Sequence, residues 1–193
     1  AQTVYYVAAA KSLKTTPAFS VPTGNFGNVY AAWVGKQMGA NIFYEDIKIS
    51  SNEEYGNVIV KSSSLENIEI DSQIIPNIID EIPILTIAGI FAEGDFVIEN
   101  AKELRAKESD RIKSICSNLK LLGLSVEESE DGFIVSGSIK NANPIFESFG
   151  DHRIAMAFSI LSMILDNGGE INGSECVNIS NPQFENQIKK IVS

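Results

Sequence analysis

Two stretches of this chain gather cations where a helix is expected to begin. Leu104-Arg105-Ala106-Lys107-Glu108-Ser109-Asp110-Arg111 brings three cations to the first turn of a helix starting near Ser109. Gly150-Asp151-His152-Arg153 brings an arginine and the chain's only histidine to the first turn of another. A helix N-terminus already carries about half a positive charge, so each added cation there costs roughly 0.3–1 kcal/mol. Asp110 and Asp151 relieve part of that cost and are the expected caps. The arrangement makes chemical sense if an anion docks there, because free backbone N–H groups together with Arg and Lys form a carboxylate or phosphate site. The plain alternative is a solvated, charged first turn. Asp80-Glu81 open a third helix with Pro83 in its first turn. They are either acids favoured by the helix dipole or a general base set opposite the cations. In Ser20-Val21-Pro22-Thr23-Gly24-Asn25-Phe26-Gly27-Asn28, a strand end, two glycines and a following helix have the layout of a loop that cradles phosphate. Turn glycines at such a junction are also common. His152 has no second histidine and no paired cysteines beside it, so no metal site is expected.

The elements that carry these residues follow from periodicity. Ile112, Ile115, Cys116, Leu119 and Leu122 give a helix from Ser109 to Leu122, closed by Gly123. Asp151 to Leu165 is a nearly all-apolar helix and should be buried. Ile82 to Phe91 is a further apolar helix, Asn28 to Met38 another, and Gln183 to Ile191 a short last one. Strands are expected at Val58-Ile59-Val60, Ile68-Glu69-Ile70 and Phe96-Val97-Ile98. Two more, Leu124 to Glu127 and Phe133 to Val135, flank the hairpin signal Asp131-Gly132. This order predicts an α/β (α+β) fold with helices packed on sheets.

Composition bounds the function. The 193 residues are 44% hydrophobic and 21% charged, which excludes a disordered tail, a collagen-like fibre and a disulfide-dense miniprotein. Lys and Arg number 15 against 25 Asp and Glu, a net charge of -10. Such a surface repels nucleic acid and anionic lipid, so neither is an expected partner, and cations for an anionic ligand must be concentrated in a pocket. No run of 18 apolar residues suggests a membrane span. Cys116 and Cys176 match no metal or disulfide framework and read as free thiols of a cytoplasmic protein. The opening Ala1 to Val7 reads as a mid-protein start rather than a signal peptide. Residues 1–40 hold no acidic residue, and the remainder holds all 25.

The two cationic motifs, with Ile154-Ala155-Met156-Ala157 after the second, resemble the C-terminal half of the EPSP synthase (3-phosphoshikimate 1-carboxyvinyltransferase) family. Ile75-Pro76 through Asp80-Glu81-Ile82-Pro83, and Phe91-Ala92-Glu93-Gly94, are similar to that family's preceding helix. The resemblance runs from about Met38 to Ser193. It implies a domain of repeated β-α-β-α-β-β units with helices inside and sheets outside. It implies transfer of the enolpyruvyl group of phosphoenolpyruvate to the 5-hydroxyl of shikimate 3-phosphate, with no cofactor. Asp80 would then handle the 5-hydroxyl proton, Glu108 would shuttle the methylene proton, and Lys107 would hold phosphate and assist. Arg111 and Arg153 would bind phosphoenolpyruvate, with His152 lining the pocket and Glu103 near the shikimate phosphate. An acid at Glu103 suits an anion less well than the asparagine frequent in the family, and Ile179 stands where many members have lysine. The family's N-terminal domain, which closes the cleft, is mostly missing, so the chain alone is expected to be largely inactive.

Residues 1–39 resemble something else. Ala1 to Tyr6 and Phe19 to Val29 are similar to threonine synthase, a pyridoxal-phosphate enzyme, in which Gly24, Asn25, Phe26 and Gly27 would hold the cofactor phosphate. The Schiff-base lysine of that family has no counterpart here. The two resemblances imply a chimera: a threonine-synthase-like extension over 1–39, built as helix, strand, loop and helix, joined to the transferase-like domain over 40–193. A pyridoxal-phosphate enzyme fragment and a non-catalytic anion-binding module are the alternative functions.

Overall fold

The structure, a computed structural model, describes residues 18–20, 26–50, 53–141 and 143–192. In chain order the elements are β1 (Ala18–Ser20), α1 (Phe26–Gln37), β2 (Asn41–Ser50), β3 (Glu53–Lys61), α2 (Ile75–Ile78) and α3 (Ile82–Gly89). Next come β4 (Phe96–Ile98), a 3-10 turn (Lys102–Ala106), α4 (Arg111–Leu121), β5 (Ser125–Glu128), β6 (Phe133–Ser136) and β7 (Ile145–Glu147). The chain continues with α5 (His152–Ile164), β8 (Glu170–Asn172), a second 3-10 turn (Ser174–Ile179) and α6 (Phe184–Val192). The strands form three small sheets, ordered β1-β3-β2, β4-β6-β5 and β7-β8. The first two are antiparallel and the third is parallel.

Hydrophobic patterning decides which layer is inside. Every residue of α3 is buried, so this helix has no face to show to water and sits at the centre against α5. In α5, Ile154, Ala155, Met156, Ala157, Phe158, Ile160 and Leu161 are buried. The strands alternate instead: Phe133 and Val135 of β6 are buried while Ile134 and Ser136 are half-buried. Phe96 on β4 pairs with Val135 in register and adds to the same inward face. Helices therefore fill the interior; the β4-β6-β5 sheet covers them with one face, and the β2–β3 ribbon does so only at its inner end, through Ile42 and Val60. Among the described residues no helix is long and apolar enough to cross a membrane.

The segment before residue 40 shares this interior. Ala31, Val34 and Met38, on and just after α1, belong to the same buried cluster as Ile78, Ile82 and Leu85, and α1 lies on α2 and α3. The helix begins at Phe26 rather than Asn28, so Phe26 and Gly27 open α1, while Gly24 and Asn25 lie outside the described residues.

Two expectations are corrected. Ile68-Glu69-Ile70 is not a strand; the chain there makes only the single bridge Glu66–Glu93. The reason is Asn67, whose side-chain amide donates to the carbonyls of Gly89 (3.0 Å) and Gly94 (2.9 Å) and so ties this stretch to the end of α3 without a ladder. The strand expected at Val58 to Val60 is the end of a much longer one, Glu53–Lys61, paired with Asn41–Ser50. The outer part of that ribbon is set off from the inner part by a register shift between Glu45 and Lys48, which breaks the alternation there.

The hairpin at Asp131-Gly132 forms as expected, joining β5 and β6. Its glycine is required by close approach: a Cβ at residue 132 would lie 1.8 Å from the Ile98 carbonyl oxygen on β4. Gly89 is equally confined, since a Cβ there would lie 2.2 Å from the ring of buried Phe96. Gly89→Ala is expected to cost about 1–3 kcal/mol by overpacking. Urea unfolding measures this, and parental stability would show that the Phe96 ring has room to move.

Candidate functional site

Three helix starts supply the site, and the caps at two of them hold as read from the sequence. Asp110 Oδ1 accepts from the Lys113 N–H (3.0 Å) at the start of α4. Asp151 Oδ1 accepts from the N–H groups of Arg153 (2.8 Å) and Ile154 (3.4 Å) at the start of α5. At the start of α3, Glu81 occupies the capping position without a side-chain cap bond. Its carboxylate is turned to Arg153 instead, with Oε1 accepting from Nη1 at 3.0 Å.

Arg111 is the centre. It is 1% exposed, although its side chain begins the first turn of α4. Nε donates to Asp151 Oδ2 at 2.7 Å, and Nη2 lies 3.4 Å from Asp151 Oδ1. Nη2 also donates to Glu108 Oε2 (2.6 Å), and Nη1 to Asp80 Oδ1 (2.9 Å). Asp151 is fully buried and takes a further bond from the Ser109 hydroxyl at 3.2 Å. One carboxylate thus caps α5 and orients the arginine of α4. Burial alone would raise the Asp151 pKa; the Arg111 guanidinium and the backbone N–H groups of Arg153 and Ile154 hold it below the usual value.

Asp80 is the meeting point of the cations. Beside its bond from Arg111 it lies 3.5 Å from Arg153 Nη2 and 3.7 Å from Lys107 Nζ. Arg153 Nη1 also donates to the Asp80 backbone carbonyl at 3.1 Å. Partial burial pushes the Asp80 carboxyl up, but Arg153, Arg111 and Lys107 outweigh that and hold it low. Residues 80, 107, 111 and 153 are therefore brought to one place from three separate helix starts.

Sequence reasoning placed other residues less well. Arg105, counted with the cations of the anion site, faces the β5–β6 hairpin and is spent on Asp110 and Glu128. Lys107 and Glu108 precede α4 in a connecting stretch and are not on its first turn. Glu103 is exposed and accepts from Lys107 Nζ at 3.0 Å. His152 is half-buried as the first residue of α5. Asp151, read as a cap, also holds Arg111; Ser109, read as a helix start, donates to Asp151; and Glu81 is the buried partner of Arg153. The signal for Glu81 was its place before Ile-Pro at a helix start, where an acid can aim inward instead of capping. Cys116 and Cys176 are free, and burial pushes the Cys116 thiol up to about 12, which keeps it inert.

Comparison with known proteins gives a consistent picture. A family profile described as EPSP synthase (3-phosphoshikimate 1-carboxyvinyltransferase) matches residues 3–188, which takes in most of the segment likened above to threonine synthase. A 3-phosphoshikimate 1-carboxyvinyltransferase from Petrotoga mobilis is 50% identical over 159 residues, covering 82% of this chain and 37% of that protein. One from Helicobacter pylori is 46% identical over 168 residues, covering 80% and 38%. The chain thus spans well under half the length of these curated relatives. The solved EPSP synthase of Acinetobacter baumannii superposes with a TM-score of 0.79 at 32% identity, over 98% of this chain and 44% of that one. The enolpyruvyl transferase NikO of Streptomyces tendae has the same fold, with a TM-score of 0.60 at 13% identity.

Removing the Asp151 charge should break the pairing that keeps Arg111 inside. Asp151→Asn is expected to lose about 3–5 kcal/mol near neutral pH, the usual cost of removing one partner of a buried pair. Because the folded-state pKa of Asp151 lies below its usual 3.8, its contribution is complete above that value and fades as pH falls further. Urea unfolding of parent and variant should show a constant gap above about pH 5 that narrows below about pH 4. A gap independent of pH would place the stabilisation elsewhere.

Proposed function

Because this chain belongs to the EPSP synthase (3-phosphoshikimate 1-carboxyvinyltransferase) family, we propose that it supplies the phosphoenolpyruvate side of an enolpyruvyl-transfer site. The single observation that carries this reading is the convergence of Lys107, Arg111 and Arg153 on one carboxylate, Asp80. In this reading the phosphate and carboxylate of phosphoenolpyruvate take over those cations. Asp80 then loses the charges that hold its pKa low, and its basicity rises toward what abstraction of the 5-hydroxyl proton of shikimate 3-phosphate needs. Glu108, paired with Arg111, moves the methylene proton, and Lys107 holds the phosphate. His152 lines the pocket beside Asp151, and Glu103 steers Lys107 from the rim. The products are the enolpyruvyl ether and inorganic phosphate.

A cleft of this kind needs a second wall to exclude water and hold the other substrate. The chain is therefore proposed to bind phosphoenolpyruvate without turning it over at a measurable rate until the remaining part of the family's length is supplied. Within the 1–39 segment, α1 is proposed to dock on the 40–193 domain and cover its helical layer, and the segment is not proposed as a cofactor-binding unit. A cytoplasmic setting is consistent with the two free thiols.

Thermal-shift and calorimetric titration with phosphoenolpyruvate test the anion site. Lys107→Ala is the informative variant, since among the described residues Lys107 is paired with the exposed Glu103 and the half-exposed Asp80, and its loss leaves no buried charge behind. Its affinity should fall about tenfold or more, the loss of one charge-assisted contact. A parent chain that shows no response to millimolar phosphoenolpyruvate would refute the reading.

A further inference from the structure

Arg105 lies outside the anion site, yet it makes as many hydrogen bonds as Arg111. Its Nε donates to the Glu130 carbonyl at 2.7 Å, Nη1 to Asp110 Oδ2 at 2.8 Å, and Nη2 to Glu128 Oε1 at 3.0 Å and to the Ser129 carbonyl. Three of these acceptors belong to the end of β5 and the turn that follows it. The fourth is the side chain that caps α4 through its other oxygen. The same turn also holds the chain just before Arg105: Asp131 accepts from the N–H groups of Asn100 (3.2 Å) and Ala101 (2.7 Å), and Glu130 pairs with Lys102.

Between Arg105 and Asp110 runs the stretch that carries Lys107 and Glu108. After Ala106, the last residue of the 3-10 turn, residues 107–110 belong to no helix or strand. Lys107 ends the 3-10 turn in an extended conformation, which turns its side chain toward Asp80. We propose that Arg105 is the positioning residue for Lys107 and Glu108, clamping both ends of the 106–110 stretch against the β5–β6 hairpin. The planar fork of a guanidinium is what lets one side chain reach a cap carboxylate, a strand carboxylate and two carbonyls at once; a lysine ammonium has no equivalent geometry. This inference rests on the proposed roles of Lys107 and Glu108, but its test does not depend on them.

The test compares Arg105→Gln and Arg105→Lys with the parent chain by two readouts. The first is the titration of the Asp80 carboxyl, followed by carbon-13 NMR and assigned with Asp80→Asn. Arg111 from α4, Arg153 from α5 and Lys107 from the connecting stretch all face that carboxyl, and of these only Lys107 sits on the clamped segment. Both variants should raise the Asp80 midpoint, because Lys107 drifts away. The second readout is phosphoenolpyruvate affinity, which should fall in both by about as much as in Lys107→Ala, roughly tenfold. Rescue by lysine would show that charge and not the fork matters, and would overturn the proposal. A lowered melting temperature with an unchanged Asp80 midpoint would make Arg105 a strut only, and would also overturn it. If the parent does not bind phosphoenolpyruvate, the anion-site reading fails while the Asp80 titration still decides the role of Arg105. Should the Arg105 variants not fold, Asp110→Asn, which keeps an oxygen for the α4 cap, decides by the same titration.

Discussion

The buried ion pair between Arg111 and Asp151 is the constraint on which this domain depends. A guanidinium at 1% exposure is tolerable only if its donors are met and its charge is balanced. Asp151, Glu108 and Asp80 do both. Because Asp151 is also the cap of α5, satisfying Arg111 fixes where α5 begins, and hence where His152 and Arg153 stand. Because Asp80 lies two residues before α3, next to its cap residue Glu81, the same arginine helps set the position of that helix end as well. The inner helical layer and the polar site are therefore not separate parts: the site is the polar plug at the common end of α3, α4 and α5.

Much of this was legible in the sequence, for definite reasons. Cations at two helix starts conflict with the helix dipole, and a conflict that local physics does not resolve points to a tertiary partner. The caps Asp110 and Asp151 and the hairpin at Asp131-Gly132 obey local rules and formed as expected. What stayed hidden depends on direction. Sequence spacing places Arg105, Lys107 and Arg111 together, yet Arg105 turns to the hairpin, Lys107 to Asp80, and Arg111 inward. The Ile68-Glu69-Ile70 stretch failed because the side chain of Asn67, not a neighbouring strand, satisfies the adjacent carbonyls. The long β2–β3 ribbon was missed although Ile47-Lys48-Ile49-Ser50 alternates: Glu45-Asp46 interrupts the pattern where the register shifts, and Ile47 and Ile49 are exposed and not part of the core.

The charge balance at the site is unusual for a place expected to receive an anion. Lys107, Arg111 and Arg153 are met by Asp80, Glu81, Glu103, Glu108 and Asp151, so the carboxylates outnumber the cations. The cations are paired with internal acids, which spares them from lying buried and unpaired. Asp80, Glu103 and Glu108 are partly exposed, so their pairs are open to water, whereas Asp151 and Glu81 are buried.

The double duty of Asp151 bears on how energies in this domain can be apportioned. A carboxylate shared between a guanidinium on one helix and two amide groups on the next makes the contributions of residues 111 and 151 overlap. Deleting either removes much of the same interaction, so the two losses do not sum, and neither alone measures a residue's worth. Only a thermodynamic cycle over both positions separates the coupling from the parts, and the shortfall from additivity is itself the strength of the joint between the two helices.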